Sequence, residues 1–293
     1  MNNQETLCQQ FVQKHNITMT DIVRREEAII YWTHRARNEI QALGPLISNK
    51  PIETQFVWLA LNQVFDHTEG SLVALIVGFD QSANVIARTV AESAVTLMYI
   101  LETDSKDRIF QYLLHSIQEE RNRLDKLHKS KEGAYFEPSY FDNHFRTCDV
   151  FEKIIKIWAD SVGCVIPNKK WPDTFRLFEQ TGYEAHYRTA YAMMSGATHA
   201  TSANLLSTLV YLQNAIASGQ DDSLEAFLNL AVLQQRMAVY GGILYCLEAA
   251  IKFCNSNELV IAARGVYDGK DAIQSALAIL GHEYEQVTEI LRE

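Results

Sequence analysis

The sequence has few of the residues that interrupt helices. Only 5 of its 293 residues are proline and 13 are glycine, and alternating runs of β-branched residues are missing. Apolar residues instead recur three and four positions apart along most of the chain, which is typical of amphipathic α-helices. The sequence therefore predicts an all-α fold, a single multi-helix bundle of about eight to ten helices.

Cysteine and long apolar runs are scarce as well. The five cysteines are scattered and never form a C-x-x-C pair, which predicts reduced thiols that serve as small core side chains. The N-terminal residues lack the basic and apolar regions of a signal peptide. The longest apolar run, 72–79, has eight residues, whereas a membrane-spanning helix needs about 20. We therefore expect a cytoplasmic protein that does not contact a membrane.

Basic residues are outnumbered, and the usual motifs of enzymes are missing. The chain has 26 Lys and Arg against 36 Asp and Glu, a net charge of -10, which argues against a protein that coats nucleic acid. It contains no G-x-G-x-x-G, no G-x-x-x-x-G-K-[ST], no G-x-S-x-G and no H-E-x-x-H. These absences disfavour nucleotide-binding α/β folds, α/β-hydrolases and zinc proteases. E-x-x-H pairs are missing too, so we expect neither a metal nor another cofactor.

One helical domain over residues 1–293 is the simplest organisation, because no repeat or linker interrupts the chain. Within it we expect a peripheral N-terminal helical pair in 1–60, a core in 65–217 that bears the polar motifs, and C-terminal helices in 223–293. Ser71 resembles an N-cap, so it predicts the start of a long helix that ends at Leu101. The predicted helices are 20–43, 54–68, 71–101, 107–131, 139–162, 183–217, 222–254 and 271–291.

A stripe of polar and aromatic residues marks the predicted helix 183–217. Its members are four residues apart and so follow one helix face; they are Tyr183, Tyr187, Tyr191, Ser195 and His199. Residues 195–203 are nearly all small, which lets a neighbouring backbone approach closely. Because a histidine in such a contact needs partners for its ring nitrogens, other polar groups should lie nearby.

The predicted helix 71–101 offers those partners. Its segment 83–94 is also rich in small residues and carries Arg88 and Glu92 one turn apart. An arginine and a glutamate inside an apolar helix are costly unless they are paired. We therefore expect 83–94 to pack on 195–203, and both side chains to join Tyr191, Ser195 and His199 in a semi-buried network. The network either fixes the helix register or forms a pocket, since buried ionisable clusters are enriched at functional sites.

These motifs resemble those of a family of uncharacterised bacterial helical proteins, known only as a domain of unknown function. The resemblance rests on A-R-x-x-x-E-x-x-x-x-x-x-Y, with Arg88, Glu92 and Tyr99, and on a later Y-x-x-x-S-x-x-x-H, with Tyr191, Ser195 and His199. It covers about 65–211. The resemblance implies that these residues belong together, but it implies no activity.

A second resemblance is to HEPN ribonucleases, helical proteins whose R-x(4–6)-H motif cleaves RNA at a dimer interface. Arg108 and His115, like Arg121 and His128, have the R-x6-H spacing, which places both side chains of a pair on one helix face. Arg121 or Arg108 would then bind the scissile phosphate, and His128 or His115 would act as acid and base. The ordinary alternative is a solvated amphipathic helix.

Two functions therefore remain open. The first, which we favour, is a binding or regulatory module whose ligand residues are Arg88, Glu92, Tyr99, Tyr191, Ser195 and His199, with a protein or a small polar or anionic molecule as partner. The second is a metal-independent endoribonuclease, a toxin or defence effector, and only this alternative involves RNA. A place in bacterial stress or phage defence rests on analogy. In both cases we expect a homodimer.

Overall fold

The computed structural model describes residues 3–18, 25–102, 105–166, 170–192, 194–195, 209–210, 213 and 221–290. All regular structure in these residues is helical, so the predicted all-α class is confirmed. The α-helices are α1 (Asn3–Lys14), α2 (Glu27–Ala42), α3 (Gly44–Ile47), α4 (Ile52–Ile76), α5 (Asp80–Ile100), α6 (Ser105–His128), α7 (Pro138–Ser161), α8 (Thr174–Gln180), α9 (Glu184–His186), α10 (Asp221–Ser256) and α11 (Arg264–Ile290). Short 3₁₀ turns span Glu132–Tyr135 and Ile261–Ala263, and a π-helix spans Tyr187–Tyr191.

The chain forms two compact units. One contains Met1–Tyr99 together with Thr174–Glu293, and the other contains Ile100–Asp173. The single domain expected for 1–293, with its divisions at 60, 65, 217 and 223, stays a prediction.

Helices α10 and α2 make most of the helix–helix contacts in the larger unit. Helix α10 packs on α4 and α11, and α2 packs on α1, α4 and α11. The alanines of α5 at 83, 87, 91 and 94 are fully buried, as the small-residue segment 83–94 suggested. A Cβ built on Gly242 of α10 would lie 3.2 Å from the carbonyl oxygen of Ala87, so the two backbones approach closely there. Of the expected partner segment 195–203, only Ser195 lies among the described residues.

The predicted boundary at Ser71 is wrong. Helix α4 continues through this position, where the buried Ser71 hydroxyl donates a hydrogen bond to the carbonyl oxygen of Thr68 inside the helix. The helix ends instead at Ile76, and Gly78, two residues later, has a φ of +80°. The amide of Gly78 donates to Leu75, and that of Phe79 donates to Ala74. This double hydrogen bond closes a helix around a left-handed residue, a conformation that favours glycine.

Helix α11 begins seven residues before the predicted start at 271. Glycines at 265 and 269 lower the helix propensity of this segment, which is why the sequence favoured a later start. A carboxylate oxygen of Glu39 in α2 accepts a 2.7 Å hydrogen bond from the amide of Gly265. The side chain of another helix therefore satisfies a first-turn amide that would otherwise lack a partner.

The smaller unit is an antiparallel hairpin of α6 and α7. Phe110 near the start of α6 packs with Ile155 and Ala159 near the end of α7, while His128 at the end of α6 stacks on Phe141 at 4.4 Å. A glycine is required between the helices, because a Cβ on Gly133 would lie 2.3 Å from the carbonyl oxygen of Leu127.

All five cysteines are buried, as predicted for thiols that act as core side chains.

The core helix α10 contains a long apolar segment. In helix α10, residues Leu228–Ser256 are long and apolar enough to cross a membrane by length and composition, but 72% of the most apolar window is buried inside the protein. Such burial is typical of the core helix of a soluble protein.

Candidate functional site

Arg88, Glu92 and Tyr191 meet in one polar cluster, which we call the Arg88 cluster. The Nε atom of Arg88 donates hydrogen bonds to Glu92 Oε1 at 2.9 Å and to the hydroxyl oxygen of Tyr191 at 3.1 Å. The Tyr191 hydroxyl in turn donates to the same Oε1 atom of Glu92. The Arg88 guanidinium carbon also lies 5.2 Å from the centre of the Tyr191 ring. Two side chains from one turn of α5 thus hold a residue that is 103 positions from Arg88.

A change of helix type places Tyr191 at the cluster. The expected straight helix from 183 begins as α9 and widens into the π-helix Tyr187–Tyr191. Tyr187 and Tyr191 stack in this wider turn with ring centres 4.9 Å apart, and both rings contact the buried Phe178. π-Helical turns occur frequently at functional sites.

The Tyr191 phenol stays protonated at neutral pH. Burial, followed by the hydrogen bond to Glu92, raises the pKa of Tyr191 to about 12. The phenol therefore acts as a hydrogen-bond donor to Glu92 and not as a general base. For Arg88, burial would lower the pKa, but the bonds to Glu92 and Tyr191 outweigh it and raise the pKa, so the guanidinium keeps its charge.

The guanidinium of Arg88 retains donors for a further group. Its side chain is 25% exposed, and among the described residues none accepts a hydrogen bond from its two terminal nitrogens. One turn earlier on α5, the Oδ1 atom of the buried Asn84 has no hydrogen-bond donor within the described part of the chain. The guanidinium is therefore open to a ligand, whereas the Asn84 oxygen is shielded from solvent.

The other predicted members of the network have different locations. Ser195 is partly buried, and His199 lies outside the described residues. Tyr99 is buried on α5, about three turns beyond Arg88.

An open groove of about 370 Å³ lies at the start of α5, lined by Gly78, Phe79, Gln81, Ser82 and Gln235. Gln81 and Arg88 are seven residues apart and so lie on the same helix face.

The arginines proposed for RNA cleavage have acidic neighbours on their own hairpin. Nη2 of Arg121 lies 3.0 Å from carboxylate oxygens of both Asp149 and Glu152 on α7. Arg108 lies 3.9 Å from Glu102. Each arginine thus faces at least one carboxylate, which weakens its attraction for a phosphate group.

The histidines of the same motifs contact aromatic rings. His128 stacks on Phe141, and His115 stacks on Trp171 with ring centres 6.2 Å apart. The ribonuclease roles of these residues stay a prediction. Among the described residues, no group of three or more His, Cys, Asp and Glu is placed to hold a metal ion.

Sequence reasoning missed a buried charged cluster around Glu69 of α4, which we call the Glu69 cluster. The Glu69 side chain is 2% exposed and accepts hydrogen bonds from His34 Nδ1 at 2.7 Å, from Arg37 Nη1 at 2.9 Å and from the ammonium group of Lys14. The Nε2 atom of His15 lies 3.5 Å from the same carboxylate. The cluster thus joins the end of α1 to α2 and α4.

The carboxyl of Glu69 stays ionised far into acid. Burial would raise the pKa of Glu69, but the hydrogen bonds from His34 and Lys14 and the charge of Arg37 outweigh it and lower the pKa to about 2. The sequence showed little sign of this cluster, because Glu69 stands in the polar run 66–71. A similar buried pair joins Glu26 to Arg236 of α10, with Nε to Oε1 at 2.9 Å.

Comparison with known proteins places the chain among uncharacterised proteins. A sequence profile described as "Family of unknown function (DUF5677)" matches residues 59–214, more than half of the chain. No curated protein and no solved structure matches it. The match agrees with the expected uncharacterised family, whereas the two motifs assigned to that family and the HEPN resemblance stay predictions.

Proposed function

The chain belongs to this family of unknown function, and from the geometry of the Arg88 cluster we propose that it binds a small ligand that carries a carboxylate or phosphate group. The observation that carries the proposal is the state of the Arg88 guanidinium. Its Nε atom is fixed by Glu92 and Tyr191, while no described residue bonds to the edge formed by its two terminal nitrogens.

That edge suits an oxyanion. A guanidinium presents planar pairs of N–H donors whose spacing matches the two oxygens of a carboxylate or phosphate. Because Glu92 and Tyr191 already hold the group, little side-chain entropy is lost when a ligand binds.

The role we propose is binding and not catalysis. The cluster offers a cation, a carboxylate already engaged with that cation, and a phenol that stays protonated. None of these three groups is a free nucleophile or a base ready to take a proton. Within this proposal the protein acts as a regulatory module, and its place in a bacterial stress or phage-defence system, its cytoplasmic location and its dimeric state stay predictions.

Thermal unfolding with simple anions tests the proposal. Wild-type protein would be heated in inorganic phosphate, in malonate, and in sodium chloride of equal ionic strength. Phosphate or malonate at about 20 times its Kd should stabilise the folded state by about 1.8 kcal/mol, which raises Tm by several degrees. Arg88→Gln should lose this increase because it lacks the guanidinium edge.

Arg188→Gln is the matched control. Arg188 also pairs with a glutamate four residues away, Glu184 at 2.9 Å, and also lies over an aromatic ring, that of Phe175. It should keep the full increase in Tm. If neither anion stabilises the wild type beyond the chloride control, or if Arg88→Gln keeps the increase, the proposal is wrong and the cluster serves only the fold.

A further inference from the structure

Helix α7 carries an apolar stripe that faces solvent. Its buried face, with Phe141, Cys148, Ile155 and Ala159, packs inside the hairpin. On another face the exposed fractions are 48% for Val150, 49% for Phe151, 64% for Ile157 and 43% for Trp158, and Ile154 between them is partly exposed. Each exposed side chain leaves up to about 100 Å² open, so the stripe amounts to roughly 400 Å² of apolar surface.

The spacing of this stripe is symmetric about Ile154. Val150 and Phe151 precede that residue by four and three positions, and Ile157 and Trp158 follow it by three and four. The spacing of the apolar positions is therefore the same in both directions along the helix. Such a stripe is complementary to a second copy of itself running the opposite way, as a twofold axis requires.

We propose that α7 is the interface of a homodimer in which two copies of this helix pack antiparallel across a twofold axis at Ile154. In this arrangement the small Val150 of each copy faces the large Trp158 of the other, and Phe151 faces Ile157. A parallel arrangement would instead place Phe151 against Phe151 and Trp158 against Trp158. The two hairpins would then form a four-helix arrangement with the stripe at its centre.

Charges beside the stripe favour the antiparallel direction. Arg146 and Asp160 are both exposed and lie 14 residues apart, which is almost four turns, so they project from the same side of α7. Antiparallel packing about Ile154 places Arg146 of each copy opposite residue 162 of the other, so the Asp160 of that copy lies about 3 Å further along the helix axis and on the same side of the interface. Neither side chain forms an ion pair with another residue in the described part of the chain.

The exposed apolar area of α7 is consistent with a dimer of moderate affinity. A stable interface buries about 800 Å² on each partner, with an apolar core and a polar rim. The stripe supplies about half of that area as core, and the exposed polar residues of α7 surround it. We therefore expect dissociation in the micromolar range.

Disulfide trapping tests the geometry directly. All five native cysteines are buried, so an introduced surface cysteine should react with little background. Ile154→Cys lies on the proposed axis, where two facing Cα atoms at a helix separation of about 10 Å come within about 5 Å, close enough for a disulfide. Mild oxidation should therefore convert most of this variant to a covalent dimer.

Two further cysteine variants determine whether the two helices run antiparallel or parallel. Val150→Cys alone should not cross-link, because the two copies of residue 150 would be separated by about 12 Å along the helices. The same variant mixed with Trp158→Cys should form a heterodimeric disulfide. Efficient linkage of Val150→Cys to itself would show a parallel or random encounter and would overturn the proposal.

Sedimentation equilibrium supplies the measurement without a cross-link. Wild type at about 100 µM should be largely dimeric, and Ile157→Glu should weaken association at least 100-fold. Ile279→Glu, at a 61% exposed isoleucine of α11, is the control and should dimerise like wild type. A monomeric wild type at this concentration, or an Ile157→Glu variant that still dimerises, would refute the interface.

Discussion

The Glu69 cluster allows a prediction whose size follows from the structure. Replacing Glu69 by Gln keeps the shape of the side chain and removes its charge. The Lys14, His34 and Arg37 donors would then face a neutral amide in a place where the carboxylate is almost fully buried. Removing one partner of a buried ion pair typically costs about 3–5 kcal/mol, because the remaining charges stay buried without compensation.

The pKa of Glu69 gives a second route to this magnitude. The carboxyl titrates near 4.5 when unperturbed and at about 2 in the folded protein. A difference of this size contributes about 3 kcal/mol to the free energy of unfolding. Because the folded pKa is the lower one, this contribution is fully present above about pH 4.5 and is lost as the pH falls towards 2.

Urea denaturation of wild type and Glu69→Gln checks both statements. At pH 7 the variant should unfold with about 3 kcal/mol less free energy. The difference between the two proteins should shrink between pH 4.5 and 2. Glu120→Gln, which removes an exposed partner of Arg123, is the control and should cost less than about 1 kcal/mol. A loss below about 1 kcal/mol for Glu69→Gln at pH 7, or a difference that does not shrink in acid, would refute the reasoning.

Three further outcomes follow from the described contacts. Tyr191→Phe removes the hydroxyl of the Arg88 cluster and keeps the ring, so the free energy of unfolding in urea should fall by about 1–2 kcal/mol. An unchanged free energy of unfolding would mean that the hydrogen bonds of this hydroxyl contribute nothing to stability. Gly133→Ala should cost about 1–3 kcal/mol by the same measurement because its Cβ meets a backbone carbonyl, whereas Gly281→Ala in open space should be neutral or stabilising. Purified wild type and His128→Ala should degrade added RNA at the same rate. If the wild type cleaves RNA and His128→Ala does not, the ribonuclease function is supported instead.

The helical class and one polar contact could be predicted from the sequence because both depend on local spacing. Arg88 and Glu92 are one turn apart in an otherwise apolar helix, and Tyr191 belongs to a stripe with the same period. The Glu69 cluster escaped prediction because its members come from three segments that only tertiary packing brings together. Likewise, Ser71 has the chemistry of an N-cap, but the helix passes through it and ends at Ile76, just before the left-handed Gly78.

The central claim is that Arg88 binds an oxyanion, and isothermal titration with inorganic phosphate or malonate tests it most directly. Wild type should bind at least one of these anions at one site per chain, with affinity at least 10-fold weaker in Arg88→Gln and unchanged in Arg188→Gln. Equal affinity in wild type and Arg88→Gln, or no binding of either anion to the wild type, would contradict it.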